Sequence, residues 1–311
     1  MSSRTMFYIV KRLLLALLTV FVVVTITFFA MQAIPGGPFN IEGKSLDPEA
    51  KAALMKLYGL DKPLFIQYVR YLGAAVTWNF GYSIKSRGAV SVLSMIGDGL
   101  PYSLASGVCA AALAIILGVI LGSIAALKHN KTADRVIMVL STASVAMPSF
   151  VIASILTCVF SEILLLVPIG NDAGAIAYIL PVITMSLSPM CYITRLTRSS
   201  TLDVLGSDYI RTAHAKGVSR QRVLFKHALR NSLTPVITYA GPMMAYIITG
   251  SIVVEKIFSV KGVGRVFINC INTRDYPVVM GTTIFLTFLM VIMVLVSDIL
   301  YKIVNPRVEL D

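Results

Sequence analysis

Six stretches of this chain contain no Asp, Glu, Lys, Arg or His: residues 13–41, 99–127, 136–161, 173–194, 231–254 and 276–297. Even the shortest runs for 22 residues. A helix that crosses the hydrocarbon core of a bilayer needs roughly 20 apolar residues, so every window suffices. That excludes a soluble fold and predicts an all-α membrane protein with six transmembrane helices. The composition agrees: only 14% of the 311 residues are charged, where a soluble domain carries about a quarter.

A net charge of +12 would suit nucleic acid, but its distribution does not. With the N-terminus placed in the cytoplasm, the inner segments hold 16 Lys and Arg: Arg4, Lys11, Arg12, Lys128, Lys131, Arg135, Lys302, Arg307 and eight between 195 and 230. The short outer segments hold none at 162–172 and four at 255–275. Such asymmetry is a topology signal. It predicts cytoplasmic N and C termini and no nucleic-acid partner. Residues 13–30, which follow Lys11-Arg12, exceed the h-region of about 7–15 residues of a signal peptide and read as an anchor. Cys109, Cys158 and Cys191 fall inside windows and Cys270 outside. They read as small apolar packers, with no metal site.

After the first window, Pro35-Gly36-Gly37-Pro38 opens an external segment of about 60 residues. Asp47 can cap a helix with Pro48 at its first position and Gly59 past its end. Ala53, Leu54, Leu57 and Tyr58 give that helix an apolar stripe. A second amphipathic run from Pro63 sets Phe65, Tyr68, Val69, Leu72 and Val76 at helical spacing. Trp78, Phe80 and Tyr82 read as interfacial aromatics. The segment is either a folded loop resting on the membrane or a docking surface for an extracellular partner, and its residues do not decide between these.

Gly118 and Gly122 form a small-xxx-small pair, the spacing that lets two membrane helices approach closely. Pro148, Pro189 and Pro242, in or near windows, permit bends. A straight helix from Val136 would place Glu162 about 39 Å along its axis, at the outer interface. Asp298 and Lys302 form an i,i+4 pair near the inner face.

The longest basic loop has no packing reason to be patterned as it is. Gly206 should stop the fourth span, Ser207 cap a new helix, and Asp208 meet its positive end. Ala213 and Gly217 share a face, where their small size permits close backbone contact. Gly217 ends this helix, and Ser219 can cap a second one carrying Arg220, Arg222, Lys226 and Arg230, with Val223, Leu224, Ala228 and Leu229 on its apolar side. The result is a stiff elbow on the cytoplasmic face, from 207 to 230. An amphipathic helix held by lipid headgroups explains the basic residues but not Asp208, Ala213 or Gly217.

Arg211-Thr212-Ala213, three residues, Gly217, then Leu229 and Pro235 resembles the EAA loop of permease subunits in binding-protein-dependent ABC importers. The oligopeptide/dipeptide branch, B-type subunit, is most similar. Ile34-Pro35-Gly36-Gly37-Pro38-Phe39, Asn79-Phe80-Gly81-Tyr82-Ser83, His227-Ala228-Leu229-Arg230-Asn231, Gly262-Val263-Gly264-Arg265, Arg274-Asp275-Tyr276-Pro277 and Asp298-Ile299-Leu300-Tyr301 match in order along nearly the whole chain. The resemblance implies the type I ABC importer permease fold in a bacterial inner membrane. It divides the chain into a tail and first helix (1–31), an external loop subdomain (32–98), a transmembrane core (99–304) and a cytoplasmic tail (305–311). It further implies a companion permease, two cytosolic ATP-binding subunits that hold ATP and Mg, and an extracellular or periplasmic solute-binding protein. Asp208, Arg211, Thr212, Ala213, Gly217, Arg220 and Leu229 would dock the ATPase. Trp78, Phe80, Tyr82 and Arg265 would meet the receptor.

The chain itself is not expected to be an enzyme or to hold a cofactor. Gly43-Lys44-Ser45 is the nearest approach to a phosphate-binding loop, but Pro38 stands where the first glycine must be. A self-sufficient channel or ion-coupled carrier would want an ionisable residue at mid-membrane, and the six windows hold none.

Overall fold

A computed structural model describes residues 3–34, 37, 48–86, 88–219, 223, 228–248 and 252–304. The described residues are helical apart from turns and an isolated bridge between Tyr82 and Ser91. In chain order the helices are α1 (Ser3–Ala33), α2 (Pro48–Tyr58), α3 (Leu64–Thr77), α4 (Val92–Leu127), α5 (Thr132–Ala146) and α6 (Ser149–Leu156), then a π-helical turn (Thr157–Ile163) and a 3₁₀ turn (Asn171–Tyr178). They continue as α7 (Ile179–Leu205), α8 (Asp208–Ala215), α9 (Leu229–Ser232), α10 (Thr234–Ile248), α11 (Ile252–Ile257), α12 (Val263–Asn272) and α13 (Tyr276–Val304).

Among the described residues, five stretches are long and apolar enough to cross a membrane: Val10–Ala33, Val92–Leu127, Gly174–Leu205, Thr234–Ile257 and Tyr276–Asp298. The third window departs from the straight rod expected of it. It is broken into α5 and α6, bent by 104°. The cause is local: Pro148 disfavours helical backbone at the residue before it, and Met147 is extended at φ −88°, ψ 129°. Pro189 and Pro242, by contrast, lie within unbroken helices. The bend overturns the length argument for Glu162, since its depth cannot be read from a straight axis. Its side chain is exposed just before the end of the π-helical turn.

The chain forms two compact units, each discontinuous in sequence. The first comprises Met1–Tyr102, Lys261–Val291 and Glu309–Asp311; the second comprises Ser103–Val260 and Ile292–Val308. In the first, Val24, Phe28 and Met31 of α1 pack with Tyr71, Phe80, Val92, Ile96, Val263, Tyr276, Val278 and Ile284. The buried Asp275 carboxylate, just before α13, accepts the Ser83 hydroxyl at 2.5 Å and the amides of Ile84 and Lys85 at 3.1 and 3.2 Å. A buried charge is tolerable when so supplied with donors, and it pins the 83–85 turn to the start of α13. Helix α2 runs from Pro48 to a left-handed Gly59 (φ 67°), where the turn chemistry placed its ends. Asp47 lies outside the described residues. The stripe expected on α3 is rotated: Tyr71 is buried and Tyr68, Leu72 and Ala75 pack beside it, while Phe65, Val69 and Val76 are exposed. Burial raises the Cys270 thiol to about 12, in keeping with a packing role.

In the second unit, α4 crosses α7 closely at the two small residues singled out from sequence. A Cβ on Gly118 would stand 2.7 Å from the Ile193 side chain, and one on Gly122 would stand 2.5 Å from the Thr194 carbonyl oxygen. Backbone cannot yield as a flexible side chain can. Gly122→Val should therefore separate the helices at a cost of about 1–3 kcal/mol, lowering the yield of folded protein in detergent well below that of Val119→Ala. Equal yields would show that the crossing tolerates bulk.

Candidate functional site

The elbow after α7 has a small core of its own. Ile210, Val223 and Ala228 are buried, with Val204, Leu205, Ala213 and Val218 packed around them. Gly206 ends α7 as expected, but in right-handed conformation (φ −78°), so its lack of a side chain is not required there. Helix α8 starts at Asp208. The Ser207 hydroxyl donates backwards to the Val204 carbonyl at 2.5 Å, and the Ser207 carbonyl accepts from Ile210 and Arg211. The end is a Schellman turn: the Val218 amide reaches back to the Ala213 carbonyl (3.2 Å) across Gly217, at φ 75°.

Within the described part of the chain the glycine makes no close contact of its own. No described residue comes within 4 Å of where a Gly217 Cβ would stand, and Ala213 packs into the elbow's own core. Positive φ is what the described backbone asks of residue 217. The outward face carries Asp208, Arg211 and Thr212, all exposed, with Arg211 and Asp208 3.6 Å apart. An ion pair so exposed contributes little to stability. Leu229 begins α9, and the adjoining Asn231 amide donates to the Tyr209 hydroxyl at 2.9 Å. Arg220 lies outside the described residues, as do most of the second helix's basic positions.

Just before the elbow, Arg198 of α7 grips the buried Asp134 of α5 with both arms of its guanidinium: Nε to Oδ1 at 2.5 Å and Nη2 to Oδ2 at 2.7 Å. The Asn130 amide adds a third donor at 2.9 Å. By its sequence Arg198 is only one of the cytoplasmic-side charges. No periodicity links positions 134 and 198, so the pair could not be found that way.

The second unit also holds a cavity of about 450 Å³ among α5–α7, α10 and α11. Its lining is uncharged and includes Met147, Ser149, Ser188, Tyr239, Met243 and Tyr246. Glu255 lies near the end of a span rather than at its middle. It sits one residue past the fifth window, yet the structure carries it within the span Thr234–Ile257, buried, with the Ser103 hydroxyl donating to it at 2.7 Å. Each uncharged run ends at a charged residue, and Glu255 is the one that closes the fifth.

Of the four residues expected to meet a receptor, the structure brings Trp78 and Phe80 into the first unit's core. Their rings lie 5.8 Å apart, with Phe80 buried. Tyr82 is exposed. Arg265 lines an open cleft with Asp98, Tyr102, Lys261 and Asn269.

Residues 118–310 match the model of the binding-protein-dependent transport system inner membrane component, and residues 5–105 match that of its N-terminal membrane component. The chain belongs to this family. Among its relatives are the dipeptide transport system permease protein DppB of Bacillus subtilis, 43% identical across 97% of this chain and 98% of that protein, and the oligopeptide transport system permease protein OppB of Escherichia coli K12, 40% identical across 97% and 99%. A solved structure of the MetNI methionine ABC transporter, in an inward-facing conformation, contains a chain of the same fold. It is 13% identical, covers 68% of this chain and 97% of that one, and superposes with a TM-score of 0.55. The protein is thus an all-α, multi-pass membrane permease of type I ABC importer fold.

Proposed function

We propose that this chain is one of two permease subunits of an ATP-driven importer of peptides in a bacterial inner membrane, with both termini in the cytoplasm and residues 99–304 as its transport core. A solute-binding protein delivers the cargo, and two cytosolic subunits bind ATP and Mg and hydrolyse the nucleotide. Near-complete alignment with di- and oligopeptide permeases supports the cargo class. The observation that carries the mechanism is the elbow, a short helix with exposed polar residues, braced by its own core and joined directly to α7.

In this reading Asp208, Arg211, Thr212, Ala213, Gly217, Arg220 and Leu229 form the handle held by an ATPase subunit. Closure of the ATPase pair displaces α8. The buried Ile210 and its neighbours pass that displacement to α7, and the Arg198–Asp134 clamp carries it on to α5. The uncharged cavity belongs to the path. Hydroxyls and thioethers can meet a peptide backbone and varied side chains without holding either charge, which leaves selection to the receptor. Tyr82 and Arg265 remain as receptor contacts.

Reconstitution tests the assignment. The chain, a companion permease, two ATP-binding subunits and a solute-binding protein in liposomes should accumulate labelled peptide only when ATP is present. Glu255 is the one observation that favours an ion-coupled carrier. Accumulation by the chain without ATPase subunits, abolished by Glu255→Gln, would establish that reading and remove this one.

A further inference from the structure

Two spans of the first unit serve as rulers for α3. Near its start, Gln67 accepts a hydrogen bond from Gln32 at 3.0 Å, one residue before the end of α1. A turn later the Tyr71 hydroxyl donates to the carbonyl of Met280, four residues into α13, at 3.3 Å, and its ring stacks on Phe28 at 5.9 Å. Trp78, at the far end, meets Phe285 and Phe288 edge-on, with centroids 6.3 and 4.7 Å apart.

Phe288 lies twelve residues beyond Tyr276, roughly 18 Å along the helix axis at ~1.5 Å per residue. Side chains lean toward the helix N-terminus, so its ring is somewhat shallower. That is about half of a hydrocarbon core ~30 Å thick. The chain then climbs back. Phe80 packs on Gly281, and Ser83, Ile84 and Lys85 are tied to Asp275, before α13 begins. Descent and return are both recorded against one helix.

The polar groups of α3 are arranged as lipid requires. Arg70, its sole charged residue, lays its guanidinium against Gly59, toward the face where the segment enters, as long cationic side chains do at interfaces. The Thr77 hydroxyl turns back on the Gly73 carbonyl at 2.9 Å. Phe65 and Val76 are meanwhile 75% and 81% exposed, with Val69 between them. This bare strip continues across Tyr68 onto Phe29, 5.8 Å away, and the uncovered apolar side of α1.

We propose that residues 64–83 form a re-entrant segment. Helix α3 dips to about the middle of the bilayer, the chain turns at Trp78 (φ 56°) and returns to the same face, and Phe65, Val69 and Val76 lie against lipid acyl chains. The inference concerns the membrane, and it holds or fails whatever the cargo.

Nitroxide labels test it in the assembled transporter, reconstituted in phosphatidylethanolamine–phosphatidylglycerol vesicles. Cysteine would be placed singly at Phe65, Val69, Val76 and, as a surface reference, Val90, in a background with the four native cysteines replaced and peptide uptake retained. The ratio of collision with oxygen to collision with a water-soluble nickel chelate should rise from Phe65 to Val76 and be several-fold higher at Val76 than at Val90. A chelate-accessible label at Val76 would mean a segment resting in water. A label there shielded from both reagents would mean protein covers it. Either overturns the proposal.

Discussion

Gly217→Leu should abolish ATP-driven uptake while leaving membrane insertion intact. Among the described residues a side chain at 217 meets no neighbour, so the direct cost there is that of holding an L-residue at φ 75°, about 1–2 kcal/mol. That is roughly a tenfold shift toward elbows in which the end of α8 has unwound. A partner surface packed against the bare glycine adds steric exclusion. Gly217→Asn separates the two effects, because Asn enters left-handed backbone far more readily. If backbone geometry alone matters, the Asn variant keeps most of its uptake. If an ATPase groove closes over residue 217, the Asn variant fails as the Leu variant does, and capture of the ATP-binding subunit by the purified permease falls in parallel. Normal uptake and normal capture by the Leu variant would leave the elbow without a coupling role.

The second large effect belongs to the clamp below it. Arg198→Ala leaves the Asp134 carboxylate, 2% exposed, without its two guanidinium bonds. Breaking a buried pair on one side costs about 3–5 kcal/mol. The low end applies here, since the Asn130 amide remains and Arg198 is partly exposed. Thermal unfolding in detergent, followed by circular dichroism, should begin several degrees lower than in wild type. Arg198→Lys should recover only part, because an ammonium cannot make the two-armed contact. Removing both charges as Asp134→Leu with Arg198→Met should recover more than either single change. A single Arg198→Ala variant as stable as wild type would mean that water, not the guanidinium, serves Asp134.

Membrane class, helical content and the elbow's position followed from local patterns. Uncharged runs of at least 22 residues have one physical solution in lipid, and a glycine between a short helix and a basic run marks a chain reversal wherever it lies. Pro48 and Gly59 bounded α2 for the same reason: helix ends are set by nearest neighbours. The face that α3 buries was misread, since both of its sides are apolar and periodicity alone cannot rank them. Local pattern also gave Gly217 its place, while its left-handed backbone is a separate demand that spacing does not show.

What the tertiary structure alone decided lies between residues distant along the chain. Asp134 meets Arg198 and Ser83 meets Asp275. Glu255 meets Ser103, and Trp78 meets Phe288. Helix and turn preferences act over a few residues, so sequence can place spans, stops and an elbow. Which side chains a folded membrane helix buries, and how deep a loop may sink, depend on what packs beside it, and only the assembled structure supplies that neighbour.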